Sequence, residues 1–205
     1  GEANEGAAFI FHGRAGGLAD TSLLFADTQI ESNQASAFLG RSVASAGDIN
    51  GDGKIDILNM KGGSEFAWYQ NPGNPTKNTK WAKKKISGGI HGGVAPNGVG
   101  DLDGDGDNDI VKGDVWFENK DGKGGSFAAH KLNTGIPNSR FNGGLCVRSW
   151  VADMNKDKKN DIVITGADIP DGPVLYYKNK GGGSFQKIVV ASKLGQDFHS
   201  KIGRA

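Results

Sequence analysis

The stretch "GDLDGDGDNDI" at residues 100–110 places five aspartates on alternate positions of a glycine-rich segment. So much like charge in one turn indicates a bound cation, because without one the carboxylates repel each other. Ca²⁺ takes about six to eight oxygen ligands and accepts irregular geometry more readily than Mg²⁺ does. Asp and Gly are also common in solvated turns, so a single copy leaves both interpretations open.

The same pattern occurs three times, which favours the calcium interpretation. "GDINGDGKIDI" begins at Gly47, "ADMNKDKKNDI" begins at Ala152, and the first aspartates of the three loops are 53 and 52 residues apart. Positions 1, 3, 5 and 9 are Asp or Asn in every copy. The candidate ligands are Asp48, Asn50, Asp52 and Asp56 in the first loop, Asp101, Asp103, Asp105 and Asp109 in the second, and Asp153, Asn155, Asp157 and Asp161 in the third.

The third loop departs from the other two at positions 4 and 6. Lys156 and Lys158 stand where the other loops have glycine, which adopts positive φ at little cost. The two lysines also weaken the anionic field of the loop. We therefore expect this loop to bind calcium weakly or not at all.

An EF-hand is the obvious alternative for an acidic loop of this kind. It requires a bidentate Glu at position 12 and a helix on each side. Position 12 is Asn59, Lys112 or Ile164 here, and the flanking segments are short, apolar and bounded by glycine, as strands are. The nine-residue period of calcium-binding β-helix repeats is also absent.

A second motif, two aromatic residues followed by any residue and Asn, recurs once per unit. It occurs as "WYQN" at 68–71, "WFEN" at 116–119 and "YYKN" at 176–179, each followed by a glycine-rich turn and a further strand candidate. Four strands in a tandem unit of about 50 residues are typical of a β-propeller blade. We predict an all-β propeller with aromatic packing between blades and the lysines at 83–85 on an outer strand.

The composition is that of one β-rich domain. The 205 residues include 34 glycines, and Lys plus Arg (24) nearly balances Asp plus Glu (23), so no global charge favours nucleic acid. No apolar run is long enough for a membrane span, and no secretory signal is visible at the start. Cys146 is expected to be a buried thiol. Acidic calcium sites suit an extracellular or cell-surface location.

The segment "FLGRSVASAGDINGDGKIDIL" at 38–58 resembles the FG-GAP repeat of integrin α-chain propellers and their bacterial relatives, and the two later units resemble VCBS repeats. This resemblance implies that the carbonyl oxygen at position 7 also binds calcium, which adds Lys54, Asp107 and Lys159 to the ligands. It implies a partial blade at 1–37, whole blades at 38–90, 91–142 and 143–192, and the start of another at 193–205.

Three and a half blades leave the closure of the propeller open. The chain could be a fragment of a larger propeller or could close as a four-bladed ring. It could also join other copies through strands at its two ends, as a dimer or a filament.

The resemblance implies a binding or adhesion module for a protein or carbohydrate ligand, with calcium in a structural role. The first alternative is a self-assembling surface protein joined through incomplete terminal blades. The second is part of a polysaccharide-degrading enzyme, in which Arg140, Arg148 and His91 would face a sugar acid. We lean against an enzyme, because no catalytic motif surrounds the scattered histidines, which are His12, His91, His130 and His199.

Overall fold

A computed structural model describes residues 7–10, 28–31, 43–61, 65–74, 77, 80–88, 98–136, 147–166 and 172–192. These residues form strands, turns and loops without a helix, so the prediction of an all-β chain is confirmed. Within this part of the chain no helix could cross a membrane. Cys146, Arg140, His12, His91 and His199 lie outside the described residues, as does most of the two terminal segments.

Within the described ranges, fourteen strands form one two-stranded sheet and three antiparallel sheets of four strands. Strands β1 (Ala7–Ile10) and β2 (Thr28–Glu31) form the small sheet. The first sheet contains β3 (Val43–Ser45), β4 (Ile57–Lys61), β5 (Glu65–Gln70) and β6 (Ala82–Gly88); the second sheet contains β7 (Val99–Gly100), β8 (Asp109–Lys112), β9 (Val115–Asn119) and β10 (Phe127–Lys131); the third sheet contains β11 (Val147–Ala152), β12 (Asp161–Gly166), β13 (Val174–Gly181) and β14 (Ser184–Ala191).

Strands that follow one another in the chain are neighbours in all three large sheets. An acidic loop joins the first strand of each sheet to the second, and the aromatic motif lies on the third. The lysines at 83–85 lie on β6, an edge strand of the first sheet, where charge discourages pairing with another chain. The described residues do not include a closed ring of sheets, so the propeller arrangement stays a prediction.

The second sheet buries both of its faces against its neighbours. Successive strand residues point to opposite faces, and Ile110 joins the core shared with the first sheet while Val111 joins the core shared with the third. Trp68 and Phe66 of the first sheet fill the first core, and Trp116 lies in the second. The three sheets therefore pack face to face in chain order.

Trp68 and Trp116 each pack against a glycine of the following sheet, as expected for aromatic residues between sheets. The indole N–H of Trp68 donates a hydrogen bond of 2.9 Å to the carbonyl oxygen of Gly124. A Cβ atom at Gly124 would lie 2.6 Å from the Trp68 ring, and one at Gly183 would lie 2.4 Å from Trp116. Only glycine allows so close an approach. The glycine turns that follow the second and third aromatic motifs therefore form part of the contact with the preceding sheet.

Candidate metal centres

Each acidic loop is held by its first aspartate, whose two carboxylate oxygens accept backbone N–H groups. In the first loop Asp48 accepts from Asp52 at 3.0 Å and from Gly53 at 2.7 Å. In the second loop Asp101 accepts from Gly104 at 2.7 Å and from Gly106 at 3.1 Å. Because a carboxylate has about four lone-pair sites, these oxygens keep capacity for a cation. The third loop repeats the arrangement between Asp153 and the N–H groups of Asp157 and Lys158.

The aspartate at position 9 ties its loop to the aromatic strand. Asp109 is fully buried, and its carboxylate accepts the N–H of Leu102 at 3.0 Å and that of Asn119 at 2.8 Å. Asp56 and Asp161 are equally buried and make the same pair of contacts. The spacing predicted only a ligand role for position 9. The structure adds a second role, in which this aspartate joins its loop to the aromatic strand.

The second loop brings three carboxylates together. Asp101, Asp103 and Asp109 each place a carboxylate oxygen within 4.8 Å of the others, the only such group among the residues that the structure describes. A neighbouring acceptor, Oδ1 of Asp107, is buried and has no hydrogen-bond partner in the part of the chain that the structure describes. Asp105 is exposed, and its carboxylate accepts the N–H of Asp107 at 3.0 Å.

Electrostatics in the second loop favour a bound cation. Burial, followed by the charges of Asp105 and Asp103, raises the pKa of Asp107 to about 6. Burial likewise raises the pKa of Asp109 to about 7, despite the backbone hydrogen bonds that stabilise its ionised form. A divalent cation among these oxygens would stabilise the ionised carboxylates and lower both pKa values.

The first loop holds an unsatisfied acceptor at position 3. Asn50 donates through Nδ2 to Asp52 at 3.2 Å, while its Oδ1 is buried and has no hydrogen-bond partner among the described residues. The Lys54 ammonium lies 3.1 Å from a carboxylate oxygen of Asp52. The free amide oxygen of Asn50 suits a hard cation, which prefers oxygen ligands.

The third loop keeps the backbone shape of the other two without their glycines. Lys156 and Lys158 have φ angles of 62° and 68°, in the left-handed region that the glycines at these positions occupy in the other loops. The hydroxyl of Tyr176 donates to Asp161 at 2.8 Å and accepts the Asn155 amide at 3.4 Å. Tyr176 thus occupies ligand atoms of the third loop, and its role was missed because the aromatic motif predicts only packing.

Asparagines of the aromatic motif connect successive loops. Nδ2 of Asn119 donates to the carbonyl oxygen of Ile49 in the first loop at 2.9 Å. Nδ2 of Asn179 donates to the carbonyl oxygen of Leu102 in the second loop at 2.8 Å. Both asparagines are buried, so each contact is shielded from water.

Position 8 of the second and third loops makes a parallel set of contacts. The Asn108 amide donates to the carbonyl oxygen of Asp48 at 2.9 Å, and the Asn160 amide donates to that of Asp101 at 3.0 Å. Each later sheet therefore holds the preceding loop through two asparagine side chains, one from its own acidic loop and one from its aromatic strand. They contact the backbone of the first candidate ligand and of the residue after it.

Comparisons with curated proteins and with solved structures find no match for this chain. A family model, the FG-GAP-like repeat, matches residues 48–111. The matched segment begins at the first candidate ligand of the first loop and ends in the strand that follows the second loop. The chain therefore contains an FG-GAP-like repeat, which is consistent with the FG-GAP/VCBS repeat family predicted from its acidic loops.

Proposed function

We propose that the chain is a calcium-stabilised extracellular β-propeller that serves as a binding or adhesion module for a protein or carbohydrate ligand. The cations are held by the oxygen-rich loops at 48–56 and 101–109, and more weakly by the loop at 153–161. Calcium acts structurally, because it neutralises carboxylates that otherwise repel each other.

The observation that carries this proposal is the convergence of Asp101, Asp103 and Asp109 within 4.8 Å of one another. The unpartnered oxygens of Asn50 and Asp107 lie in the same kind of loop and add acceptors without a competing donor. A donor set of carboxylates and amide oxygens, without His or Cys, is the set that Ca²⁺ prefers over transition metals.

The connections between loops support a structural role for calcium. Asn119 and Asn179 join each later sheet to the backbone of the preceding loop. A cation that holds a loop in its folded shape also holds these junctions, so its binding energy contributes to folding. An extracellular location fits this role, because calcium is abundant there.

Repetition of the same junction supports the propeller arrangement. Four-stranded sheets that bury both faces against similar neighbours are the units of radial β-repeat folds. The blades in this proposal are 38–90, 91–142 and 143–192, with 1–37 and 193–205 contributing to further blades.

His130 is the one histidine among the described residues. Its ring stacks on Trp116 and pairs with Glu118 at 2.7 Å, and these contacts favour a role in packing or binding rather than in catalysis.

Calcium titration of the chelator-treated chain by calorimetry, with mass determined by light scattering, tests the proposal. We expect two or three ions per chain, fewer in Asp103→Asn, and a melting temperature that rises with calcium. Asp121→Asn is the matched control, because Asp121 lies in an exposed turn outside the acidic loops, and its Oδ1, which asparagine keeps, accepts the N–H groups of Lys123 and Gly125. Absence of calcium binding, or equal losses in both variants, would contradict the proposal.

A further inference from the structure

A cavity of about 470 Å³ lies between the second and third sheets, away from the acidic loops. This volume falls within the range of roughly 300–1,000 Å³ found for small-molecule sites. Trp116, His130 and Lys131 line it from the second sheet, and Tyr177, Phe185 and Lys187 line it from the third.

The aromatic side of the cavity is held by several contacts. The rings of Trp116 and His130 stack with centroids 4.5 Å apart, and Phe185 meets Trp116 edge-on at 5.7 Å. Glu118 holds the imidazole of His130 at 2.7 Å. The result is an aromatic surface whose rings are held in place before a ligand binds, which reduces the entropic cost of binding.

Tyr177 lines the cavity and carries a buried hydrogen-bond donor. The residue is 2% exposed, and its hydroxyl has no hydrogen-bond partner in the described part of the chain. Burial, with a smaller contribution from Asp114, raises the pKa of Tyr177 to about 12, so the hydroxyl keeps its proton. Because a buried unpaired hydroxyl costs stability, an acceptor atom of a ligand would recover that loss.

Lys187 supplies a positive charge that has no carboxylate partner among the described residues. Its ammonium donates to the carbonyl oxygens of Asn133 at 2.9 Å and Thr134 at 3.5 Å. Lys83 is the equivalent residue of the first sheet, because it pairs with Tyr69 as Lys187 pairs with Tyr177. Unlike Lys187, Lys83 has a carboxylate partner, Glu65, at 2.9 Å.

The other basic side chains of the cavity have carboxylate partners. Lys131 bonds both carboxylate oxygens of Asp114, at 3.1 and 3.2 Å, and His130 faces Glu118. The charge left over at the cavity is therefore that of Lys187. A single free positive charge beside an uncharged donor and an aromatic wall matches a ligand with one carboxylate and one ring.

We propose that this cavity binds a small organic monocarboxylate built on a single ring. Its carboxylate is received by the Lys187 ammonium and the Tyr177 hydroxyl, and its ring contacts Phe185 and His130. A sugar acid and an aromatic acid share this chemistry. The site requires only the packing of the second and third sheets, so it is tested separately from calcium binding.

The test is a titration of the ¹⁵N-labelled chain, with calcium present, followed through the amide signals of His130, Ser184 and Phe185. Glucuronate and benzoate are the carboxylate probes, and glucose and benzamide are their neutral counterparts. We expect saturable shifts with at least one carboxylate and at least about tenfold weaker binding of its neutral counterpart, because a hydrogen bond to a charged group is worth about 1.5–3 kcal/mol. Saturation by glucuronate indicates a sugar acid, and saturation by benzoate indicates an aromatic acid.

Two variants test the assigned contacts. Lys187→Gln should weaken binding about tenfold or more, and Tyr177→Phe should weaken it about two- to tenfold without lowering the melting temperature. Lys85→Gln, which removes the same charge from an exposed position on β6, should leave the affinity unchanged.

The proposal is overturned if neither carboxylate saturates the signals up to about 10 mM, which corresponds to negligible affinity. It is also overturned if the neutral counterparts bind equally well, or if Lys187→Gln binds as tightly as Lys85→Gln does.

Discussion

The side-chain amide of Asn119 donates a hydrogen bond of 2.9 Å to the carbonyl oxygen of Ile49, 70 residues earlier in the chain. Asn119 Oδ1 also accepts the N–H of Gly124 at 3.2 Å, so one buried side chain joins the first loop, the aromatic strand and the glycine turn. Such a buried polar side chain is costly to truncate, because its partners lose their hydrogen bonds without gaining water.

Replacing this asparagine should therefore weaken the junction of the first and second sheets. We expect Asn119→Ala to lower the free energy of unfolding by about 2–4 kcal/mol, measured by urea denaturation with and without calcium. Asn71→Ala is the matched control, because the Asn71 amide donates to the carbonyl oxygen of Ile55 in the acidic loop of its own sheet. If Asn71→Ala lowers the free energy of unfolding as much as Asn119→Ala does, the contact between the two loops contributes no more to stability than a contact within one sheet.

Glycine should be favourable at positions 4 and 6 of the third loop. Lys156 and Lys158 have positive φ angles, which cost non-glycine residues about 1–2 kcal/mol each. The double variant Lys156→Gly/Lys158→Gly should raise the melting temperature and, by removing two positive charges, increase the calcium affinity of this loop. Calorimetry measures both effects.

Lys159→Gly is the control for that variant, because Lys159 is not among the residues with positive φ. It removes one positive charge, against two in the double variant, and gains no relief of strain, so it should lower the melting temperature slightly. A higher melting temperature in the control would mean that charge, rather than backbone conformation, governs the stability of the loop.

Calcium binding by the second loop should depend on pH. The pKa values of Asp107 and Asp109, raised by burial to about 6 and about 7, mean that protons compete with the cation below neutrality. We expect calcium affinity to fall between about pH 8 and about pH 5, measured by titration calorimetry. Asp109→Asn should remove the component near pH 7.

The stability of the calcium-free chain should depend on pH in the opposite direction to its calcium affinity. The folded chain binds more protons at Asp109 than the unfolded chain does, because its pKa rises from 3.8 to about 7. Stability without calcium should therefore decrease as the pH rises between these two values. An increase over that interval in wild type, unchanged in Asp109→Asn, would contradict the burial of this carboxylate.

Lys112 should destabilise the fold at neutral pH. It is fully buried, its ammonium lies 4.6 Å from the centre of the Phe66 ring, and it has no hydrogen-bond partner in the described residues. Burial lowers its pKa from 10.5 to about 8, so the folded chain holds fewer protons than the unfolded chain between these values. Stability should rise with pH across this interval.

Lys112→Met should raise the free energy of unfolding at pH 7 by about 1–3 kcal/mol, because methionine has a similar shape without the charge. It should also abolish the rise at alkaline pH. Lys84→Met is a useful control, because the Lys84 ammonium also lies over a ring, at 4.9 Å from the centre of Trp68, but the residue is only partly buried. Equal gains in both variants would argue against burial as the cause.

Local patterns were sufficient to predict the strands and loops. The alternation of Asp and Gly at 100–110 and the aromatic motif at 116–119 act over a few residues, where spacing alone indicates a loop or a strand. The all-β fold and the FG-GAP-like repeat follow from such short-range signals; the structure confirms the first, and the family match supports the second.

Contacts between sheets were beyond the reach of those patterns. In the sequence, Lys112 was notable only because position 12 lacks the Glu of an EF-hand, whereas the structure buries its side chain. Tyr176 was predicted only to pack between sheets, whereas its hydroxyl donates a hydrogen bond to Asp161. The cavity beside Tyr177 and Lys187 likewise exists only because two sheets meet there.

The sequence by itself determined where the strands begin, which loops concentrate negative charge and which glycines follow the aromatic motif. Only the tertiary structure decided which backbone carbonyl each asparagine holds, as with Asn179 and Leu102, 77 residues apart. The physical reason is that such a bond depends on the relative placement of two sheets, and that placement is set by the packing of many side chains together rather than by any local period.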